Sequence, residues 1–196
     1  MRQPIPESAL AQLFTEARSH HHWTAEPVSD QTLHALYELT KWGPTSVNSS
    51  PARILFIRSE AEKEKLVPHL LGSNVEQVRA APVVAIIAYD ERYLEQITRL
   101  FPAYDVRPYF AGNQRLIDDT AFRNSSLQGA YFILAARALG LDVCPMSGFD
   151  NAQVDELFLK DRGWRSNFLC TLGTGDPSRL YPRGPRLDFP EACAIV

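Results

Sequence analysis

The sequence predicts a layered fold of the α/β or α+β class, in which amphipathic helices alternate with short apolar strands. Its 196 residues suit a single domain, and its 45 % apolar and 22 % charged residues are typical of a globular protein. Lys and Arg number 20 against 23 Asp and Glu, which gives a net charge of −3. This weak negative charge argues against a nucleic acid or an anionic membrane surface as a partner.

The first third of the chain carries signals for two helices. Apolar residues at helical spacing follow Ser8, which predicts a first helix capped by that residue. The same spacing after Ser29 or Asp30 predicts a second helix, which ends at Gly43 because Pro44 follows.

The middle of the chain combines one helix with two strands. Ser59 and Glu62 have the spacing of a capping box and predict a third helix that extends to about Leu71. The apolar runs 54–57 and 83–89 predict strands, and the second run is β-branched enough to be buried on both faces. Residues 90–114 lack a clear pattern, and we expect a partly helical excursion there.

The second half of the chain is dominated by a long predicted helix, from about 115 to 138. Its later part is apolar nearly all round, which predicts a central buried helix. A short strand, a helix capped by Asp150 and a strand over 168–172 follow. The tail from Asp176 contains four prolines, and we expect it to be an arm that lies on another surface.

Several classes of protein are disfavoured by what the sequence lacks. Cys144, Cys170 and Cys193 are too few and too widely spaced for a disulfide framework, so we expect reduced thiols. No apolar run reaches the roughly 20 residues of a membrane span, and the N-terminal residues show no signal core, which predicts a cytoplasmic protein. The three consecutive histidines 20–22 do not predict a metal site, because neighbours on a helix point about 100° apart.

Four polar or glycine-containing segments suit a ligand. The hydroxyl and amide groups after the second helix suit a heterocycle edge, a ribityl chain or a phosphate. Gly148 allows close approach of the backbone to a ligand, and Arg183 and Arg186 share one side of a polyproline helix, where they could grip a phosphate. Each segment has a simpler interpretation as a capped turn or a solvated tail. The four segments are 18–23, 42–51, 144–150 and 181–186.

Taken together and in this order, these segments resemble the nitroreductase family of FMN-dependent oxidoreductases. The resemblance is carried by Arg18-Ser19, by Pro44-Thr-Ser-Val-Asn48, by Pro145-Met-Ser-Gly-Phe149 and by Arg183, and it covers nearly the whole chain. The runs KWGPTS, SPARI, TAFRNSS, ALGLD and PMSGFD are similar to the malonic semialdehyde reductase group of pyrimidine catabolism.

The resemblance implies an α+β, nitroreductase-like fold with a central mixed β-sheet flanked by helices. It implies one domain over residues 1–196, in which 176–196 form an arm exchanged between the subunits of a homodimer. Two FMN molecules would lie at the subunit interface, and NADH or NADPH would serve as the reductant.

The resemblance also assigns roles to individual residues. Arg18, Ser19 and Arg183 would hold the FMN phosphate, and His21 would lie near the flavin pyrimidine ring. Ser46 and Asn48 would reach the site from the partner chain. Ser147 and Gly148 would place backbone N–H groups near flavin N5 and O4, and Asn74 would reach the pyrimidine edge. The remaining residues carried over would also bind the cofactor; these are Pro44, Thr45, Pro145 and Met146.

The chemistry is expected from the cofactor, since no nucleophile–base pair is evident and no side chain is assigned as catalytic. Flavin N5 would take hydride from NAD(P)H and pass it to a small acceptor in a ping-pong reaction. Ser147, Ser50 and His21 stand where the family commonly has an acidic residue, a glutamine and a lysine, so the acceptor stays open. The alternatives are reduction of malonic semialdehyde to 3-hydroxypropionate, flavin binding without turnover, and a dimeric interaction module without cofactor.

Overall fold

The computed structural model describes residues 3–196 and arranges four β-strands in one sheet of order β1-β2-β4-β3. All three strand pairings are antiparallel. The mixed sheet implied by the resemblance is therefore antiparallel within this chain, because each connection between neighbouring strands returns to the end of the sheet from which it left. Parallel pairing among the described residues is limited to one isolated bridge, between Ser19 and Val143. The strands are β1 (Ala52–Ile57), β2 (Val83–Asp90), β3 (Asp142–Met146) and β4 (Trp164–Gly173).

Helices cover both faces of the sheet. The first helix continues into a π-helical turn over Ala11–Thr15, and the eighth into another over Asp155–Leu159. Within the described residues the α-helices are α1 (Glu7–Leu10), α2 (Asp30–Thr40), α3 (Glu60–Leu66), α4 (Ser73–Ala80), α5 (Ile97–Leu100), α6 (Arg107–Phe110), α7 (Gln114–Ala138), α8 (Asn151–Val154) and α9 (Phe189–Ala192).

The core has two halves, one on each face of strand β2. Alternate residues of a strand point to opposite faces, and Val83, Ala85 and Ile87 meet α2 and α7 while Val84 and Ile86 meet α3, α4 and the α8 region. All five are at most 1 % exposed, which confirms the prediction of a strand buried on both faces.

The predicted helix boundaries are confirmed at the start of α2 and α3 and are wrong at the start of α1 and the end of α3. The Ser29 hydroxyl accepts from the Thr32 N–H at 3.0 Å, and the Ser59 hydroxyl accepts from the Glu62 N–H at 3.3 Å, as their spacing predicts. Ser8 is not a cap, since the carbonyl of Pro6 already accepts the first N–H bonds of α1. Helix α3 ends at Leu66 rather than near Leu71, because the next turn is a 3-10 helix that contains a proline.

Strand β4 is longer than its apolar run suggests. Residues 165–167 carry polar side chains, which the search for apolar runs misses, but Arg165 and Ser166 pair with β2 beyond an irregularity at Ile87/Ala88. The excursion over 90–114 contains α5 and α6 and is partly helical, as expected.

Helix α7 is confirmed in its length but not in its burial. Phe132 and Ala136 are fully buried against the sheet, and a Cβ at Gly129 would lie 2.6 Å from the ring of Phe168. On the opposite face, however, Leu127 and Tyr131 are 47 % and 40 % exposed. Helix α7 packs against one face of the sheet, so within a single chain only the side of the helix that faces the sheet is buried.

The tail first follows its own chain. Gly175 forms a bridge with Trp23, and the Asp176 N–H donates to the His22 carbonyl at 2.9 Å. The four prolines argue against an ordinary helix in the tail, but the one-turn helix α9 forms there, because Pro190 is tolerated in a first turn and Asp188 begins a capping box. Among residues 3–196, none of the helices combines the length and apolar character that crossing a membrane requires.

Candidate functional site

A basic cavity of about 620 Å³ lies between the N-terminal segment, the end of α7 and the tail. Four arginines line it, together with two further candidate residues, Ser19 and His21. Within the part of the chain that the structure describes, no carboxylate forms an ion pair with any of these arginines. We call this space the arginine cavity; its arginines are Arg18, Arg137, Arg183 and Arg186.

The predicted phosphate residues meet in this cavity although they are far apart in sequence. The Arg18 guanidinium donates to the Tyr181 carbonyl, and Arg183 Nη2 donates to the Ala17 carbonyl at 3.2 Å. The edge of the His21 ring meets the ring of Tyr181, with centroids 5.1 Å apart. The tail is therefore held against the end of the first helical segment of its own chain.

The wall of the cavity is anchored to β3 through Asp142. One carboxylate oxygen lies 3.3 Å from Nε2 of the buried His20, and the other accepts from the Gly175 N–H at 2.9 Å. A Cβ at Gly175 would lie 2.0 Å from His20 Nδ1, so no side chain fits there. The carboxylate thus joins segment 18–21 to the start of the tail.

The His21 side chain is not permanently charged in the flavin-free protein. Burial lowers its pKa from the usual 6.5, and the neighbouring His22 and His20 lower it further. Its ring is therefore neutral at pH 7 unless an anion binds beside it. This limits the idea that a protonated His21 provides charge near flavin N1.

The glycine turn after β3 lies against the turn before α4. The Gly148 carbonyl accepts from the Leu71 N–H at 2.8 Å and from Asn74 Nδ2 at 2.9 Å. A Cβ at position 148 would lie 2.7 Å from Asn74 Nδ2. The Gly148 N–H has no acceptor within residues 3–196 and is free for a ligand. The structure therefore brings the two candidate residues Gly148 and Asn74 into contact.

The other residues of this turn differ in accessibility. Pro145 and Met146 end strand β3, with Pro145 exposed and Met146 buried in the core. Ser147 is exposed, and its carbonyl accepts from the Phe149 N–H at 3.0 Å. Pro145 and Ser147 are thus accessible to a ligand, whereas Met146 is not.

The loop that follows α2 is held in a strained conformation. Val47, Asn48 and Ser50 have φ angles of 47°, 50° and 40°, in the left-handed region that β-branched residues rarely adopt. The Thr45 hydroxyl accepts from the Ser50 N–H at 3.1 Å, and Asn48 Nδ2 donates to the Leu100 carbonyl at 2.8 Å.

Two buried amides of α7 position this loop. Asn124 Oδ1 accepts from the Ser46 N–H at 2.8 Å, and Gln128 Oε1 accepts from the Ala52 N–H at 2.9 Å. Sequence reasoning missed both amides, although polar residues at i and i+4 on a buried helix face were a visible signal. Their contacts explain part of the run TAFRNSS in structural terms.

The loop does not reach the arginine cavity of its own chain. Pro44, Thr45 and Ser46 line neither cavity, and Asn48 lines a second, larger cavity of about 920 Å³ along β1 and α2. The structure thus forms two groups of candidates, the arginine cavity and the Gly148–Asn74 turn, and leaves the loop apart from the first group. Arg137 joins the first group without having been predicted from the sequence.

The two buried cysteines are poorly suited to act as nucleophiles. Cys144 and Cys170 are buried, and all three cysteines are free. Burial raises the pKa of Cys144 to about 11 and that of Cys170 further still, so neither is a thiolate at neutral pH.

Comparison with known proteins places the chain in a family. The model of the Nitroreductase family matches residues 14–174. A protein of Rhodopseudomonas palustris (strain TIE-1), named as an NADH dehydrogenase/NAD(P)H nitroreductase, is 51 % identical over 196 residues, which are 100 % of both chains. A Burkholderia lata protein named in the same way is 54 % identical over 191 residues, 97 % of this chain and 98 % of the relative.

A solved structure shows the same fold. The nitroreductase of Exiguobacterium sibiricum in complex with FMN superposes with a TM-score of 0.85, covers 100 % of both chains and is 23 % identical. The α+β, nitroreductase-like fold is thereby confirmed. With a family match over residues 14–174 and full-length relatives above 50 % identity, the chain belongs to the nitroreductase family.

Proposed function

We propose that this protein is an FMN-dependent oxidoreductase that uses NADH or NADPH to reduce a small acceptor. The observation that carries the proposal is the arginine cavity, which four arginines line and where, among residues 3–196, no carboxylate forms an ion pair with them. A phosphate monoester has about two negative charges at neutral pH and would balance this charge. The FMN bound by the Exiguobacterium protein and the names of the relatives favour FMN as that phosphate ester.

The residues of the cavity fit a flavin phosphate. Arg137 Nε is buried and lacks an acceptor in the described part of the chain, which indicates that the protein alone does not satisfy this cation. Arg18, Ser19 and Arg183 supply the other donors, and the ring of His21 lies beside them. When bound, FMN supplies the hydride transfer between NAD(P)H and the acceptor.

The protein's own part is binding and orientation. Gly148 offers an unpaired backbone N–H, and Asn74 holds the following peptide through the Gly148 carbonyl, which restricts the turn that presents this N–H. Such a fixed donor stabilises charge that develops on the flavin without reorganising during the reaction. Because the buried thiols are protonated, we assign no catalytic role to a side chain.

Assembly as a homodimer belongs to the proposal. The exposed face of α7 and the apolar residues of segment 187–196 are surfaces that a second copy would bury. The Ser46–Asn48 loop, which lies apart from the arginine cavity of its own chain, would then serve the site of the partner. A single domain over residues 1–196 and a cytoplasmic location stay predictions.

The experiment begins with the visible spectrum and the mass of the purified protein. We expect a yellow dimer that NADH or NADPH bleaches rapidly, followed by reoxidation by an acceptor and parallel double-reciprocal plots. Colourless protein that does not take up FMN would contradict the proposal, and yellow protein without bleaching would identify a flavin-binding protein without turnover. Intersecting plots would contradict the ping-pong order.

A second experiment identifies the acceptor by comparing several classes of oxidised compound. The runs shared with the malonic semialdehyde reductase group favour that aldehyde, whose reduction yields 3-hydroxypropionate. Pre-reduced enzyme should be mixed with malonic semialdehyde, other aldehydes, quinones and nitroaromatic compounds. A rate for malonic semialdehyde no higher than that for unrelated aldehydes would argue against it as the substrate.

A further inference from the structure

We propose that Arg137, at the C-terminal end of α7, provides a fixed positive charge that strengthens phosphate binding in the arginine cavity. This inference rests on the proposed function, since it adds a binding residue to the same site. Arg137 lies 119 positions after Arg18 and 46 before Arg183, on an element that carries no other residue of the cavity.

The Arg137 side chain is held by the first helical segment. Its Nη1 donates to the Leu13 carbonyl at 2.8 Å, and its own backbone carbonyl accepts from Gln12 Nε2 at 2.7 Å. Leu13 lies within the π-helical turn over Ala11–Thr15, two residues of which also line the cavity. The guanidinium is therefore oriented before any ligand arrives, which reduces the entropy lost on binding.

The charge of Arg137 is compensated only in part, by the Asp142 carboxylate at a distance longer than an ion pair. No ion pair involves it within residues 3–196, and its buried Nε has no acceptor. The Asp142 carboxylate is already engaged by His20 and by the Gly175 N–H. Burial lowers the pKa of the Arg137 guanidinium, which stays protonated because arginine does so throughout the physiological range.

A half-buried guanidinium whose Nε lacks an acceptor is unfavourable, and an anion in the adjoining cavity would relieve that state. Arg137 thus favours a phosphate over a neutral group at the same place. The competing explanation is purely structural. In that explanation Arg137 connects α7 to the first helical segment, and its positive charge interacts favourably with the negative C-terminal end of the helix dipole. That explanation predicts no preference between charged and uncharged flavins.

The test compares FMN with riboflavin, which lacks the phosphate. Arg137→Gln keeps a polar amide near the position of Nε and removes the charge, while Arg115→Met removes a 91 % exposed arginine from the same helix as a control. Dissociation constants of both flavins are measured by fluorescence titration of the flavin-free, full-length protein. We expect Arg137→Gln to weaken FMN binding at least tenfold and riboflavin binding less than twofold, with Arg115→Met unchanged.

Each other outcome contradicts a specific statement. An equal loss for FMN and riboflavin, or no loss for FMN, would overturn the charge assigned to Arg137 and leave the proposed function standing. A parent protein that binds neither flavin would overturn the proposed function, and this inference with it. Should Arg137→Gln not fold, Arg137→Lys decides: the proposal requires that it keep most of the preference for FMN, because lysine retains the charge but not the guanidinium geometry.

Discussion

Arg183 in the tail donates a hydrogen bond from Nη2 to the carbonyl oxygen of Ala17, 3.2 Å away and 166 positions earlier in the chain. Arg18, the neighbour of Ala17, donates in turn to the Tyr181 carbonyl. These reciprocal contacts place both guanidinium groups in the arginine cavity and close it with residues of the same chain. A phosphate site built in this way does not depend on a second subunit for its cations.

Loss of either arginine should therefore weaken FMN binding. A charge-assisted contact contributes about 1.5–3 kcal/mol, so we expect Arg18→Ala and Arg183→Ala each to raise the FMN dissociation constant about tenfold or more. Fluorescence titration of the flavin-free protein measures this effect, and Arg179→Ala, in the same tail but outside the cavity, is the control. Unchanged affinity in both cavity variants would refute the assignment of the phosphate site.

Two truncations should separate the roles of the tail. Removal of residues 187–196 deletes exposed Leu187, Phe189 and Ile195 but keeps the arginines, so we expect weaker dimerisation with residual FMN binding. Removal of residues 176–196 also deletes Arg183, and we expect both the dimer and the flavin to be lost. Light scattering after gel filtration gives the mass, and the visible spectrum gives the flavin content. If both truncated proteins stay dimeric, the tail is not an exchanged arm.

A side chain at Gly148 should disturb the peptide that faces the flavin. Its Cβ would lie 2.7 Å from Asn74 Nδ2 and 3.3 Å from Leu71 Cβ, so the Asn74 contact to the Gly148 carbonyl would break. We expect Gly148→Val to slow the reduction of bound flavin by NAD(P)H about tenfold and to change FMN affinity less. The slower rate follows from the loss of one hydrogen bond, roughly 1 kcal/mol, and from misorientation of the turn.

Stopped-flow measurements compare the rate of flavin reduction in the parent and in Gly148→Val. A variant at a neighbouring glycine serves as the control. Gly72→Ala is suitable, because a Cβ there meets nothing within 4 Å. In an Asn74→Ala background, Gly148→Ala should have a smaller effect than in the parent, since its main steric conflict is gone. Reduction of Gly148→Val at the parent rate would contradict the role of this turn.

Stability of the flavin-free protein should fall in mild acid, in part through His21. Its folded-state pKa lies below 6.5, so the unfolded chain binds more protons near that pH and stability decreases as pH falls through the folded-state pKa. We expect His21→Gln to remove a small part of this decrease, about 1–2 °C in melting temperature between pH 7 and 5, because the ring is partly exposed. A parent and a variant with parallel pH profiles would show that His21 does not titrate in this way.

Local signals predicted the elements well where one physical cause dominates. The continuous apolar and β-branched run of strand β2 predicts burial on both faces, and the hydroxyls of Ser29 and Ser59 cap the helices that follow them. The boundaries that failed depend on more than one part of the chain. Strand β4 extends to Trp164 only because β2 provides partners for its polar residues.

The sequence by itself determined the four strands, the helices α2, α3 and α7, the family and the residue types that suit a phosphate, because these follow from local periodicity and from contiguous motifs. It did not predict the short helices α4 and α9. Only the tertiary structure decided that Arg137 joins Arg18 and Arg183 in one cavity and that Asn74 contacts Gly148. Such contacts depend on how distant segments pack, and no local pattern encodes the direction of a side chain across 74 or 119 intervening positions. The antiparallel sheet and the exposed face of α7 were decided at the same level.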